Sequence, residues 1–266
     1  MLKISFIWFF MDYQEFIRCV SEVRLVSLNK LLKDPTDEEK VKIHQWVKAC
    51  NAALLPLIQT SEVVLRNAIH AAVRDEFGEK WYNSPRFNSY HCEEFSSDVV
   101  DFKEKISSAN YKNRNDPEPN EIIASADFYT WELIFSEDFF NASDNQFLWP
   151  NKLDSLFKGI DPTEAKTKKQ LHLAKQTIQA IRLVRNRIAH NETPWRYRRV
   201  KGAKNLGQAR ANAFNDMEKS INNCERLIKM ISQDKCNAMT EFGWFDNARE
   251  VCSMKGFLAM VLNSDK

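Results

Sequence analysis

Glycine is scarce in this chain, and paired cysteines are missing. There are six glycines in 266 residues, whereas a β-rich fold needs glycine at many tight turns. This scarcity predicts a helical protein. The six cysteines include no Cys-x-x-Cys pair, and no group of histidine and cysteine has zinc-finger spacing. We therefore expect reduced cysteines, mostly in the core, and neither a metal site nor a cofactor.

Long apolar runs are also missing. The strongest candidate, residues 4–11, is far shorter than the roughly 20 residues that a transmembrane helix needs. Asp12 and Glu15 follow it, where a signal peptide would have small residues at a cleavage site. The sequence therefore predicts a cytoplasmic protein with no membrane partner.

Basic residues are concentrated in one part of the chain. The net charge is +2, yet residues 166–210 contain thirteen Lys or Arg and a single acid, Glu192. That window carries +12, which leaves −10 for the rest of the chain. A local basic field of this kind favours a polyanionic ligand such as RNA. The alternative is an ordinary solvated helix surface.

Two patterns indicate where the main helices begin. Thr36 and Glu39 have capping-box spacing, and a helical pattern then runs to Phe77, with Pro56 predicting either two helices or one kinked helix. Asp161 precedes Pro162 at the start of a second pattern, which predicts a helix of about thirty residues, roughly 45 Å long.

Further helical patterns complete an all-α fold. The second helix is expected to end at Pro194, and another helix covers 206–233. The aromatic-rich segment 121–149 favours core helices. The tail after residue 235 is expected to form one short helix plus loops.

A polar motif lies at the end of the second predicted helix. Arg185 and His190 are five residues apart, which places them about 140° apart around an ideal helix. Asn186 lies one turn before His190 and shares its face. A histidine can move protons near neutral pH, and a guanidinium can stabilise the charge of a phosphorane. The motif thus suits metal-independent RNA cleavage, although a helix end with a capping histidine is the simpler alternative.

Three blocks of sequence give the chain a family resemblance. They are residues 57–70 with 77–82, residues 126–135 with 148–150, and residues 184–195. In their order and spacing they resemble the Abi-like (AbiD/AbiF) abortive-infection proteins of the HEPN ribonuclease superfamily.

The resemblance implies an all-α HEPN-type helical bundle with additional helices. It also implies a metal-independent endoribonuclease that attacks through the 2′-OH and leaves 2′,3′-cyclic phosphates. Such proteins act in phage defence or as toxins of toxin–antitoxin systems, usually as homodimers with two facing motifs, and an RNA or protein antitoxin is a possible partner. The implied catalytic residues are Arg185, Asn186 and His190.

Residues outside the motif have two interpretations each. Glu62 and Arg66 lie one turn apart on a polar stripe that continues to His70 and Arg74; they either support the His190 site or form a surface row of ion pairs. Basic residues mixed with aromatics around the motif suit phosphate contacts and base stacking, or else a solvated loop with core aromatics. The predicted RNA-binding residues are Arg187, Trp195, Arg196, Arg198, Arg199 and Lys201.

The sequence therefore predicts an N-terminal extension (1–35), an Abi-like HEPN domain (36–233) and a C-terminal helical tail (234–266). An endoribonuclease is the first hypothesis for its function. A non-catalytic protein that holds a small structured RNA is the second, and a helical interaction protein without a nucleic-acid role is the third.

Overall fold

The computed structural model describes residues 12–20, 25, 28–84, 97–112, 117–141 and 148–262. The apolar run at 4–11 lies outside these residues. Regular structure within them is helical, apart from an isolated bridge between Phe140 and Trp149. The all-α fold class is confirmed.

Thirteen α-helices are found among the described residues. In chain order the α-helices are α1 (Tyr13–Val20), α2 (Asp37–Phe77), α3 (Ser97–Lys112), α4 (Pro119–Ser125), α5 (Phe128–Leu133), α6 (Leu153–Leu156), α7 (Pro162–Ala165), α8 (Lys168–Ala189), α9 (Tyr197–Lys201), α10 (Leu206–Ile231), α11 (Gln233–Glu241), α12 (Trp244–Val251) and α13 (Met254–Phe257). Short 3-10 turns cover Asn29–Leu31, Trp81–Asn83 and Glu137–Phe139, and a π-helical turn covers Leu258–Leu262.

The chain divides into two compact units. Unit 1 comprises Met1–Ala53, Thr193–Glu218 and Arg249–Lys266, and unit 2 comprises Leu54–Glu192 and Lys219–Ala248. Each unit joins segments that are distant in sequence. The predicted domain boundaries after residues 35 and 233 divide the chain into continuous segments, and they stay a prediction.

Helix α2 starts as predicted. The Thr36 N–H donates to the Glu39 carboxylate (2.8 Å) and the Glu39 N–H donates to the Thr36 hydroxyl (3.2 Å). The helix continues through Pro56 to Phe77, so the two-helix alternative is wrong. Proline removes one backbone hydrogen bond from a helix. Burial of the adjacent Leu57, which is 0% exposed, helps to offset that loss.

The core of unit 1 surrounds Trp46. Its ring stacks on Trp195 with centroids 5.7 Å apart and meets Phe257 edge-on at 5.0 Å. Its indole N–H donates to the carbonyl of Val251 (2.9 Å). Gly256 comes so close to that segment that a Cβ would lie 2.4 Å from the Val251 carbonyl oxygen, so glycine is required there. The C-terminal segment is thereby fixed against α2.

The core of unit 2 contains the predicted aromatic segment. Phe135 stacks between Trp149 (5.4 Å) and Phe157 (6.0 Å), and the Trp149 indole donates to the Ile134 carbonyl (2.6 Å). Helix α8 contributes an apolar stripe, as predicted, except that Ile188 is only half-buried. The buried aliphatic residues of α8 are Leu171, Ala174, Ile178, Ile181 and Val184.

Two predicted helices differ from the structure. The expected thirty-residue helix is wrong, because α7 and α8 are separate: the Thr167 side chain accepts from the Gln170 N–H (3.1 Å) and caps a new helix. The tail is more helical than expected. It holds α11 to α13, and Gly243 with φ +71° separates the first two.

The described cysteines are mostly in the core, as expected. Cys50, Cys224, Cys236 and Cys252 are free and buried, and Cys19 is free and exposed. Burial raises the pKa of Cys224 to about 12, so its thiol stays protonated and unreactive at neutral pH.

Candidate active site

The end of helix α8 sets the position of the polar motif. His190 is the C-cap residue that follows Ala189, the last residue of α8, and its N–H donates to the Asn186 carbonyl (3.0 Å). Asn191 follows with φ +62°, and the Glu192 N–H donates back to the Arg187 carbonyl (2.8 Å). These features form a Schellman motif, in which a left-handed residue ends the helix. The helix therefore ends well before Pro194, which corrects the predicted end.

The three motif side chains differ in exposure. Arg185 and Asn186 are half-buried, whereas His190 is exposed at the helix end. The motif thus presents an accessible imidazole, with a partly shielded guanidinium one and a half turns before it on the same helix. This arrangement allows the histidine to reach a bound substrate while α8 holds the arginine.

Glu62 on α2 is electrostatically coupled to Arg185. Burial raises the pKa of the Glu62 carboxyl more than the guanidinium groups of Arg185 and Arg66 lower it, and Asp127 raises it further. A half-buried carboxyl with a raised pKa beside an arginine is characteristic of functional sites. The structure therefore brings Glu62, Arg66 and Arg185 together within unit 2. Among the described residues, no hydrogen bond or ion pair joins Glu62 or Arg66 to His190.

Arg66 has a defined anchor. Its guanidinium donates from Nη1 to the carbonyl of Ala124 (2.9 Å), near the C-terminal end of α4. That end of a helix carries unpaired carbonyls and a partial negative charge. The anchor holds the Arg66 guanidinium on the same side of α2 as Glu62.

His70 does not belong to a surface row of ion pairs. It is buried, and its Nδ1 accepts a hydrogen bond from the Trp81 indole (3.1 Å). Its Nε2 lies 3.3 Å from the Glu79 carboxylate. The polar residues of α2 therefore have different environments: His70 lies in the protein interior, whereas Glu62 and Arg66 lie at the candidate site.

Asp127 is a residue of this site that sequence reasoning missed. It accepts from the Thr130 N–H (3.0 Å) and caps α5, and it pairs with Lys105 (3.0 Å). Burial raises its pKa, but the hydrogen bonds from Lys105 and Thr130 outweigh burial and hold the pKa below its ordinary value. The Asp-x-x-Thr spacing is an N-cap signal in the sequence, although its coupling to Glu62 arises only in the fold.

Part of the charge of the basic window is neutralised by acids from elsewhere in the chain. Asp216, only 4% exposed, pairs with both Arg196 and Arg199. Arg182 pairs with the buried Glu132 (2.6 Å). Further ion pairs join Lys166 to Asp154, Lys168 to Glu137 and Lys175 to Asp98. The +12 window is therefore not a bare polyanion-binding surface.

The predicted RNA-binding residues separate into two groups. Trp195 is 0% exposed and stacks on Trp46, so its ring is not accessible to an RNA base. The prediction that Trp195 binds RNA is wrong. Arg196 and Arg199 are engaged by Asp216, as described above. Arg187 is half-buried and has a partner within the protein.

The second group is accessible. Arg198 is exposed and has no ion-pair partner among the described residues. Lys201 is exposed, with its ammonium 5.8 Å from the Tyr197 ring centroid. For Arg198 and Lys201, contact with RNA phosphates stays a prediction.

Within the part of the chain that the structure describes, no three His, Cys, Asp or Glu side chains are grouped so that they could hold a metal ion. None of the described helices combines the length and the apolar character needed to cross a bilayer.

Comparisons of the chain with family models, with curated proteins and with solved structures find no match. The resemblance to Abi-like HEPN proteins therefore stays a prediction. Function has to be inferred from the side chains and their surroundings.

Proposed function

We propose that the protein is a metal-independent endoribonuclease with Arg185, Asn186 and His190 at its catalytic centre. The observation that carries the proposal is the coupling of the half-buried Glu62 to Arg185, which lies on a helix that ends at the exposed His190. A surface helix end with a capping histidine would not need a partly shielded carboxyl with a raised pKa next to its arginine.

In the proposed reaction, His190 accepts the proton of a ribose 2′-OH. The 2′ oxygen then attacks the adjacent phosphorus, and the bond from phosphorus to the 5′ oxygen breaks. The products are a 2′,3′-cyclic phosphate and a 5′-OH. Arg185 stabilises the negative charge that develops on the phosphorane oxygens. Asn186, on the same face of α8 as His190, is placed to hydrogen-bond the ribose or phosphate.

Glu62 and Arg66 are proposed to position Arg185. The Glu62 carboxyl attracts the guanidinium and limits its rotamers, while the bond from Arg66 to Ala124 holds the neighbouring charge in place. Precise placement of a charge-stabilising group is worth far more in a shielded site than in water.

A second proton-transfer group is needed to protonate the leaving 5′ oxygen. We propose that a second copy of the chain supplies it, in a homodimer that brings two His190 side chains to one site. An isologous interface would duplicate the set by symmetry. A role in phage defence or as a toxin held by an RNA or protein antitoxin follows from the family resemblance alone.

The non-catalytic RNA-binding alternative has lost part of its support. It depended on a strongly basic surface, and the ion pairs with Asp216, Glu132 and other acids neutralise much of that charge.

The decisive experiment is cleavage of a mixed RNA pool by the purified chain, followed by analysis of product ends. We expect 2′,3′-cyclic phosphate and 5′-OH ends, with equal rates in EDTA and in Mg²⁺. Activity that EDTA removes and Mg²⁺ or Mn²⁺ restores would contradict the proposed mechanism.

A further inference from the structure

Unit 1 contains a cavity whose lining is rich in lysine. The cavity has a volume of about 620 Å³. It lies between the turn that precedes α2 and the turn that begins α10. Its lining residues are Lys30, Leu32, Lys33, Asp34, Pro35, Lys40, Ala203, Lys204, Asn205, Leu206 and Ala209.

The two walls of this cavity are fixed to each other. Arg210 on α10 donates from Nε to the carbonyl of Leu31 (2.8 Å), and its guanidinium lies 5.3 Å from the Phe257 ring centroid. On the first wall, Asp34 adopts a left-handed φ of +47°, which turns the chain before Pro35. Leu32 and Ala209 are buried at the base. The cavity is therefore a formed feature of the fold.

Among the described residues, the positive charge of the cavity lining is only partly balanced by acids. Lys40 pairs with Asp37 (2.7 Å). In contrast, Lys30, Lys33 and Lys204 are exposed and have no ion-pair partner among the described residues. Asp34 is the single acid in the lining. Unpaired lysines from two segments line the same cavity, and a bound polyanion would offset the repulsion between their charges.

The contrast with the rest of unit 1 sharpens this observation. Elsewhere in unit 1, Arg196 and Arg199 both pair with the buried Asp216. In the cavity, Lys30, Lys33 and Lys204 have no such acidic partner among the described residues. The N-terminus of α10, a 26-residue helix, begins at Leu206 in the lining and adds a partial positive charge.

We propose that this cavity binds an oligophosphate group, such as the triphosphate chain of a nucleotide. Lysine ammonium groups are point charges that suit phosphate oxygens without demanding a planar geometry. The volume is that of a small-molecule site and exceeds what one phosphate would fill. A free nucleotide and the 5′-triphosphate end of an RNA share this chemistry. The proposal does not depend on ribonuclease activity.

Calorimetric titration with inorganic triphosphate at constant ionic strength tests the proposal. We expect saturable binding to the wild-type chain, weakened about tenfold or more in the Lys33→Gln/Lys204→Gln variant, because two charge-assisted contacts are lost. Lys169→Gln is the matched control, since Lys169 is also exposed and unpaired among the described residues but lies in unit 2. Its affinity should equal that of the wild type.

Further titrations identify the source of the phosphates. ATP binding at least as tight as inorganic triphosphate indicates a free nucleotide, and tight binding of only 5′-triphosphate RNA, compared with 5′-hydroxyl RNA, indicates an RNA end. Thermal unfolding checks that the double variant is folded, and Lys30→Glu provides a second test of the same wall. No saturable binding of triphosphate, or equal affinity in wild type and both lysine variants, would overturn the proposal.

Discussion

The carboxyl of Glu62 on α2 and the guanidinium of Arg185 on α8 interact electrostatically within unit 2, although their positions are far apart in sequence. Burial dominates the electrostatics of Glu62 and raises its pKa in spite of the two nearby arginines. An ionised Glu62 is therefore a cost to the folded state, which is expected of a residue kept for function.

Replacing Glu62 by Gln should raise the free energy of unfolding at pH 7. The folded-state pKa lies above the ordinary value of 4.5, so the stabilising contribution of this carboxyl is complete below pH 4.5 and is lost as pH rises through the folded pKa. Glutamine does not ionise and avoids that loss. Urea unfolding from pH 4 to 8 measures the difference, which should shrink as pH falls. RNA cleavage by Glu62→Gln should be slower despite its greater stability.

Asp127→Asn is the matched variant, and its effect on the free energy of unfolding should have the opposite sign. Hydrogen bonds from Lys105 and Thr130 hold the Asp127 pKa below its ordinary value of 3.8, so its contribution is present above pH 3.8 and is lost as pH falls through the lower folded pKa. Asparagine keeps the cap of α5 and removes the charge. We expect this variant to be less stable than the wild type at pH 7. Shifts of the same sign in both variants would show that one of the two carboxyls is not perturbed as described.

Asn191 should tolerate glycine and not alanine. Its φ of +62° lies in the left-handed region, where an alanine costs about 1 kcal/mol. Asn191→Ala should therefore lower the free energy of unfolding by about that amount more than Asn191→Gly does, and it should slow cleavage more because it displaces His190. Chemical denaturation and RNA cleavage of the two variants provide the test. Equal effects would mean that the left-handed end of α8 does not matter for the site.

Arg198 and Arg199 should differ in their effect on RNA binding. Arg198 is exposed and unpaired among the described residues, whereas Arg199 is engaged by Asp216. If Arg198 contacts a phosphate, Arg198→Gln should reduce the salt dependence of binding to single-stranded RNA by about 0.7. Arg199→Gln should leave the slope unchanged. A larger change for Arg199 would show that its pair with Asp216 opens when RNA binds.

A shared active site makes a quantitative prediction for mixed chains. If two His190 side chains serve one site, adding excess His190→Ala chains should reduce wild-type activity after full subunit exchange, because heterodimers lose one of the two proton-transfer groups. Size-exclusion chromatography with light scattering checks the oligomeric state. Activity that stays proportional to the wild-type chains would show that each chain acts alone.

Local signals in the sequence were sufficient for the fold class and for several helix ends. The capping box of Thr36 and Glu39 and the N-cap of Asp161 are confirmed because each depends on contacts within one turn. The break between α7 and α8 was missed, although Thr167 and Gln170 also have capping-box spacing. The apolar periodicity on either side concealed it.

Features that depend on distant contacts were beyond the sequence. Trp195 lies in a basic, aromatic segment that suits RNA stacking, but its position is decided by Trp46, which comes from a different part of unit 1. The charge of residues 166–210 was likewise misleading, because acids such as Asp216 and Glu132 reach the window only in the folded chain. The sequence suggested that Glu62 supports the His190 site, but it did not indicate that Glu62 interacts with Arg185.

The most direct test of the central claim is the rate of RNA cleavage by His190→Ala compared with His172→Ala. Both histidines are exposed, but His190 follows the C-terminal end of α8, whereas His172 pairs with Glu137 (2.8 Å) and lies near the opposite end of the helix. We predict that His190→Ala reduces cleavage at least a hundredfold, the usual contribution of a general acid or base, and that His172→Ala cleaves like the wild type. Equal activity of the wild type and His190→Ala would contradict the account.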